Sequence, residues 1–432
     1  MNYLTPSLKS FAKCFDLSED ELIEFGYLYN LEQRSRKLSW WQLIFISIIT
    51  LYSKGTRHKD RVAAMIFYFG VSVCENAFSD RLSQLSTKFL DVLIKKLSER
   101  IKHIGSPKRR EKLQRMIKVL AEDTSLMILD KRAEGHFGRF STNPKAQAKL
   151  YILIDIFTNG CLSSEVSGCK TSEKSKRQKF NRESVSTIEL RDRGYFSNVL
   201  FAEMVNENRY FITRVNKNWN PKVKSVEVGN KSWVGKYLKD IDLSNYNEIK
   251  LIVFPLNKND CKTKLNNGDK LSLSFIGKRI KGEMKYYLYH IPSEWNFSFD
   301  DFYHIYRFRW NVEQIFKVLK SNFNLSKLRL RNENAIINMV KIIIIAYLLS
   351  NVIIFKMSAV FNCSEKRFSH FVILSGELGY YFRHILEYIF WCDRTLRKCD
   401  WKSLTEGLFL VVNNKKISMS NRNRNLINVL KH

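Results

Sequence analysis

The sequence predicts an α/β protein with mainly helical flanks, and three observations predict it. Short β-branched apolar runs fall between residues 116 and 215, as buried strands do. A turn-rich, β-like stretch follows from 216 to 295. Helical periodicity dominates before residue 115 and returns after residue 300.

In chain order, the first region is residues 1–115. "SEDELIEFGYLYNLEQ" opens with Ser18 and has Glu21 three residues later, a capping-box pattern. "TKFLDVLIKKLSERIKHI" carries apolar residues at helical spacing with basic residues between them. "GSPKRREK" (105–112) is a Gly/Pro-punctuated basic stretch, a boundary signal. "MIKVLAED" (116–123), "KLYILIDIFT" (149–158) and "TIELRDRGYF" (187–196) read as strands or strand ends. "EMVNENRYFITRVN" reads as helix, then strand. "EIKLIVFPLN", "NNGDKLSLSFIGKRI" and "KGEMKYYLYHI" are strands separated by Asn, Gly and Lys. The division predicted is a helical region over 1–115, a core over 116–215 and 296–355, a β-rich insertion over 216–295, and helices over 356–432 with a basic, polar tail.

Composition narrows the function. The chain has 432 residues, 45% hydrophobic and 13% aromatic, enough for a large core. Its 72 Lys+Arg against 42 Asp+Glu give +30. Such an excess is unlike that of a small-metabolite enzyme and points to a polyanion, with nucleic acid the default. Residues 1–115 hold 20 Lys+Arg and 12 Asp+Glu, so the charge is spread along the chain. The eight cysteines form no CxxC pair or Cys/His zinc spacing and read as free thiols. The N-terminus lacks an apolar signal region, and the apolar runs 43–52 and 342–355 are short for membrane spans. Both read as buried core helices of a cytoplasmic protein with no membrane partner.

The chemistry rests on acids. Asp123 and Asp192 each close an apolar run, which places a carboxylate at a sheet rim. Each is equally readable as a turn or cap residue, and Glu122, Asp130, Asp155 and Glu189 compete with them. The third candidate lies in "YRFRWNVEQIFKVLK" (306–320). On a continuous helix, at about 100° per residue, Tyr306, Arg309, Glu313 and Lys320 share a face roughly 60° wide. The plain reading is a solvated face with an Arg309–Glu313 pair, worth a few tenths of a kcal/mol. Three gathered carboxylates in a basic protein would instead bind hard divalent cations together with phosphate oxygens.

The pattern Tyr306-x2-Arg309-x3-Glu313-x6-Lys320 resembles the YREK signature of DDE transposases from bacterial insertion sequences. "EDTS" (122–125) is similar to that family's first-Asp strand, "DRGYFS" (192–197) to its second-Asp motif, and "KLYILIDIFTNG" to the hairpin following the first Asp. The resemblance covers about residues 116–355. One departure is the strand "STIELRD", whose Glu189 and Arg191 make it unusually charged.

The resemblance implies an RNase H-like catalytic core in which Asp123, Asp192 and Glu313 bind two Mg²⁺ ions, with Mn²⁺ able to substitute. Arg309 and Lys320 would neutralise phosphates, and Tyr306 would donate to a phosphate or pack on a sugar. The implied reaction is hydrolysis at the element's ends, then transesterification into target DNA. Hairpin intermediates common in this branch need an aromatic platform for a displaced base, and Trp219, Trp233 and Trp295 are candidates against ordinary packing. The basic run 170–182, with Lys174, Lys176, Arg177 and Lys179, reads as a backbone contact. Residues 56–72 are a candidate helix-turn-helix for recognising inverted repeats in double-stranded DNA. "YYFRHILEYIFW" reads as core or as a dimer contact, and cutting two ends together implies a homodimer. The competing readings are a metal nuclease that only hydrolyses and a DNA-end binder without catalysis.

Overall fold

A computed structural model describes residues 6–31, 38–52, 58–104, 118–140, 145–156, 158, 160–171, 187–215, 219–255, 265–360, 386 and 388. The N-terminal helices are α1 (Leu8–Lys13), α2 (Glu19–Leu28), α3 (Trp40–Tyr52), α4 (His58–Phe69), α5 (Glu75–Gln84) and α6 (Thr87–Ile104). The capping box read from Ser18 and Glu21 is present at the start of α2. The strands are β1 (Lys118–Ile128), β2 (Gln147–Asp155), β3 (Gly160–Gly168), β4 (Thr187–Arg191), β5 (Tyr210–Arg214), β6 (Lys222–Val228), β7 (Glu248–Phe254), β8 (Leu273–Ile280) and β9 (Glu283–His290). Helix α7 (Asn198–Asn206) connects β4 to β5. After the sheet come α8 (Phe299–Arg307), α9 (Trp310–Ser321) and α10 (Glu333–Val360).

All nine strands form one mixed sheet, ordered β3-β2-β1-β4-β5-β9-β8-β7-β6. Strands β1, β2 and β3 pair antiparallel, whereas β4 runs parallel to both β1 and β5. The strands of the expected insertion continue the same sheet, because β9 pairs antiparallel with β5. Its alternating apolar side chains join Phe201, Met204 and Phe211 in a core of their own around Leu251, Phe275 and Leu288.

The other core runs from the N-terminal helices to α10. The Tyr52 hydroxyl donates to the Ala346 carbonyl at 2.6 Å, and Asn338 donates to the carbonyls of Leu82 and Leu85, each at 2.8 Å. The N-terminal helices are therefore packed into the central core, which the basic stretch at 105–112 did not foretell. Residues Glu333–Phe355 are long and apolar enough to cross a membrane, but the apolar part of this helix is almost wholly buried inside the protein. Helix α3 is also buried over most of its length, as expected of residues 43–52.

Candidate active site

Asp123 lies in the middle of β1 and not at its end, because β1 continues to Ile128 against β2. It is a rim position in another sense. The parallel pairing with β4 is recorded only through Ala121–Leu190, so Asp123 sits just past the end of its neighbour. Asp192 directly follows β4 and accepts from the Gly194 amide at 3.4 Å, capping the turn Arg193–Tyr195. The turn reading of Asp192 and its rim position therefore hold together.

The third acid arrives differently from expectation. Residues 306–320 are not one helix. The helical run ends at Arg307, Phe308 and Arg309 form a turn, and α9 starts at Trp310. Glu313 stands in the first turn of α9, which packs against β1. Arg309 stands at the entrance of α9 with its guanidinium against the sheet's acids. Its Nη1 donates to Asp123 Oδ2 at 3.3 Å, its Nε lies 3.6 Å from Asp192 Oδ1, and its Nη2 donates to Glu313 Oε1.

One guanidinium thus touches all three predicted carboxylates. Among the described residues no three acidic, His or Cys side chains form a ready-made metal cage. The carboxylates converge instead on the position of one cation. Burial pushes the Asp123 carboxyl up to about 6, with the charges of Asp192 and Glu313 adding to the rise and the Thr124 amide and Arg309 opposing it. The Thr124 amide donates to Asp123 Oδ1 at 2.7 Å. Three acids on one monovalent partner leave a local charge deficit, and hard oxygen donors of this kind suit Mg²⁺.

Tyr306, expected to reach a phosphate or a sugar, has its hydroxyl engaged inside the protein. It is buried, and its hydroxyl donates to the Arg191 carbonyl at 3.2 Å. Burial pushes that hydroxyl up to about 12. Its role is to tie α8 to the end of β4. Lys320 is half-buried in the last turn of α9, about 10 Å along the helix from Glu313.

Of the tryptophans, Trp233 is 5% exposed and packs on Tyr246, with no ring face left for a base. Trp219 is half-buried, its ring centred 5.3 Å from Phe196 and 6.2 Å from Phe275. Trp295 is half-buried against Tyr210 and Phe297. Trp310, next to Arg309, is 57% exposed. Periodicity through a continuous helix gives no reason to single it out. Lys174, Lys176, Arg177, Lys179 and the aromatic stretch 380–391, apart from residues 386 and 388, lie outside the described residues.

The competing acids resolve into other duties. Asp130 caps the turn Lys131–Ala133 and pairs with Arg132 at 2.8 Å. Glu122 and Glu189 are buried against Arg191. Asp155 ends β2 and is buried.

A family model described as a transposase DDE domain matches residues 163–349. The match includes Asp192, Arg309, Glu313 and Lys320 and begins downstream of Asp123. No curated protein matches the chain. Among solved structures, the cryo-EM structure of the piggyBac transposase synaptic complex with hairpin DNA is similar at 11% identity and a TM-score of 0.42, covering 98% of this chain and 84% of that one. A structural likeness at that level carries no argument, and the family match is what supports a DDE transposase here.

Proposed function

We propose that the chain is a transposase that cuts DNA at the ends of a mobile element and joins those ends to target DNA. The single observation that carries the reading is the meeting of Asp123, Asp192 and Glu313 on one cation position, supplied from three separate elements. The family match over 163–349 and the charge of +30 support it. The order β3-β2-β1-β4-β5, antiparallel then parallel, is what an RNase H-like core requires and supports that architecture.

Asp123, Asp192 and Glu313 would hold two Mg²⁺ ions. When bound, the ions activate the attacking oxygen and stabilise the leaving oxygen of a phosphodiester. The chain supplies the rest. Arg309 leaves the carboxylates and forks onto a phosphate beside the scissile bond, for which its planar donors are suited. Lys320 meets a phosphate farther along the backbone as a point charge. Tyr306 holds the rim of β4 in place. Trp310 offers the exposed ring on which a displaced base can stack, worth roughly 1–3 kcal/mol. Two protomers acting on two ends complete the reading.

The test is a labelled DNA carrying the terminal inverted repeats that flank the gene, incubated with protein and Mg²⁺ and resolved on denaturing gels. Metal-dependent cleavage and joining, both lost in Glu313→Ala with DNA binding retained, is the expected result. Cleavage without joining would move the reading to a nuclease, and binding without cleavage to an inactive end-binder.

A further inference from the structure

The unusual charge of β4 has a structural counterpart on the face of the sheet away from the candidate site. Side chains alternate along a strand, so Glu122 and Arg191 point opposite to their neighbours Asp123 and Asp192. Both are about 1% exposed, and Glu189 is 7% exposed. Arg191 Nη1 donates to Glu122 Oε2 across the β1–β4 pair, and Nη2 donates to Glu189 Oε2. Arg209, just before β5, closes the chain of charges through Nη2, 2.7 Å from Glu189 Oε1. The Arg191 carbonyl is held as well, by the Thr213 hydroxyl at 3.0 Å and the Tyr306 hydroxyl at 3.2 Å.

We infer that Glu122 and Arg191 are positioning residues that set the separation of the Asp123 and Asp192 carboxylates. The inference rests on the reading of those carboxylates as a metal site. Backbone hydrogen bonds between β1 and β4 are recorded only through Ala121–Leu190, one residue short of the link. The Glu122–Arg191 bridge is thus the next tie between the strands, one residue before each carboxylate. Without this tie the strand ends could separate and the two acids drift apart, whereas the planar guanidinium, one nitrogen on Glu122 and the other on Glu189, is a rigid spacer. The fixed carbonyl of Arg191 stops β4 from rotating about that spacer. Hydrophobic residues would serve stability at least as well in a buried strand pair, since buried ion pairs are weak devices for stability alone.

The experiment uses the full chain, with Mn²⁺ as the probe, its binding followed by electron paramagnetic resonance, and single-end DNA cleavage measured for KM and kcat. Glu122→Leu keeps volume, leaves Arg191 paired with Glu189, and removes the tie. It is expected to weaken Mn²⁺ binding and lower kcat by about 10–100-fold with KM for DNA little changed, and to lower the unfolding midpoint because Arg191 loses one buried partner. Glu122→Gln still accepts from Arg191 and is expected within about threefold of wild type. Should Glu122→Leu not fold, Arg191→Lys decides, because an ammonium cannot span both glutamates and must show the same loss. Wild-type Mn²⁺ affinity and kcat in the folded variant would overturn the positioning role. Asp123→Asn separates this from the underlying reading: if Mn²⁺ binding survives in Asp123→Asn, the metal site itself is wrong, whatever Glu122 does.

Discussion

Two arginines sit among carboxylates on opposite faces of the same strand pair, and they differ in what can reach them. Arg191 is about 1% exposed and its partners Glu122 and Glu189 are 1% and 7% exposed. The Arg309 side chain is 13% exposed, but Asp123, Asp192 and Glu313 are 19%, 38% and 33% exposed. The first cluster is sealed, with one cation among two acids and Arg209 as a second cation. The second is open, with one cation among three acids. A unit-charge pair at 4 Å gains about 4 kcal/mol at an effective dielectric near 20, and a divalent ion in the same place doubles that. On the proposed reading a divalent cation takes the place of Arg309, whereas Arg191 is closed to solvent. On that reading the same residue type is a fixture on one face and a movable counter-ion on the other.

The sharpest break of this comparison is to remove each arginine. Arg191→Ala strands two buried glutamates and is expected to cost about 3–5 kcal/mol, seen in denaturant unfolding and not restored by Mg²⁺. Arg309→Ala leaves acids that water reaches and is expected to cost about 1 kcal/mol or less, recovered on adding Mg²⁺. Equal losses in the two variants would erase the distinction.

The tryptophans offer a second, smaller contrast between sealed and open. Trp233→Ala empties the core of the β6–β9 region and is expected to lower stability by about 3 kcal/mol. Trp310→Ala is expected to leave the unfolding midpoint within about a degree, because its ring is largely in water. In end-cleavage assays it should slow the step after the first nick by about tenfold, as loss of one stacked base would. A Trp310→Ala protein with normal joining would remove that residue from the site.

Only the local part of the candidate site was legible in residue spacing; the contact of Arg309 with Asp123 joins positions 186 apart, and only the family resemblance pointed to it. Arg309 and Glu313 are four apart, and they pair. Asp192 ends a strand, and its turn follows at once. What could not be read is non-local. The link from Glu122 to Arg191 spans 69 positions, and no local pattern distinguishes it from two stray charges in a strand. The turn at Phe308–Arg309 is hidden because apolar spacing runs through it undisturbed. Tyr306 is buried on the face of α8 that also buries Phe299 and Phe302, which the polar arc drawn through Arg309, Glu313 and Lys320 conceals. The β-rich stretch was legible as strands, but its union with the core sheet depends on one pairing, β5 with β9, that only the fold creates.

The most direct test is Mn²⁺ binding without DNA, measured side by side for wild type, Arg309→Ala and Asp123→Asn. If Arg309 is a counter-ion over a metal site, Arg309→Ala binds Mn²⁺ about tenfold more tightly than wild type, since a competing charge is gone, and Asp123→Asn binds far more weakly. Weaker binding in Arg309→Ala, or unchanged binding in Asp123→Asn, would contradict it.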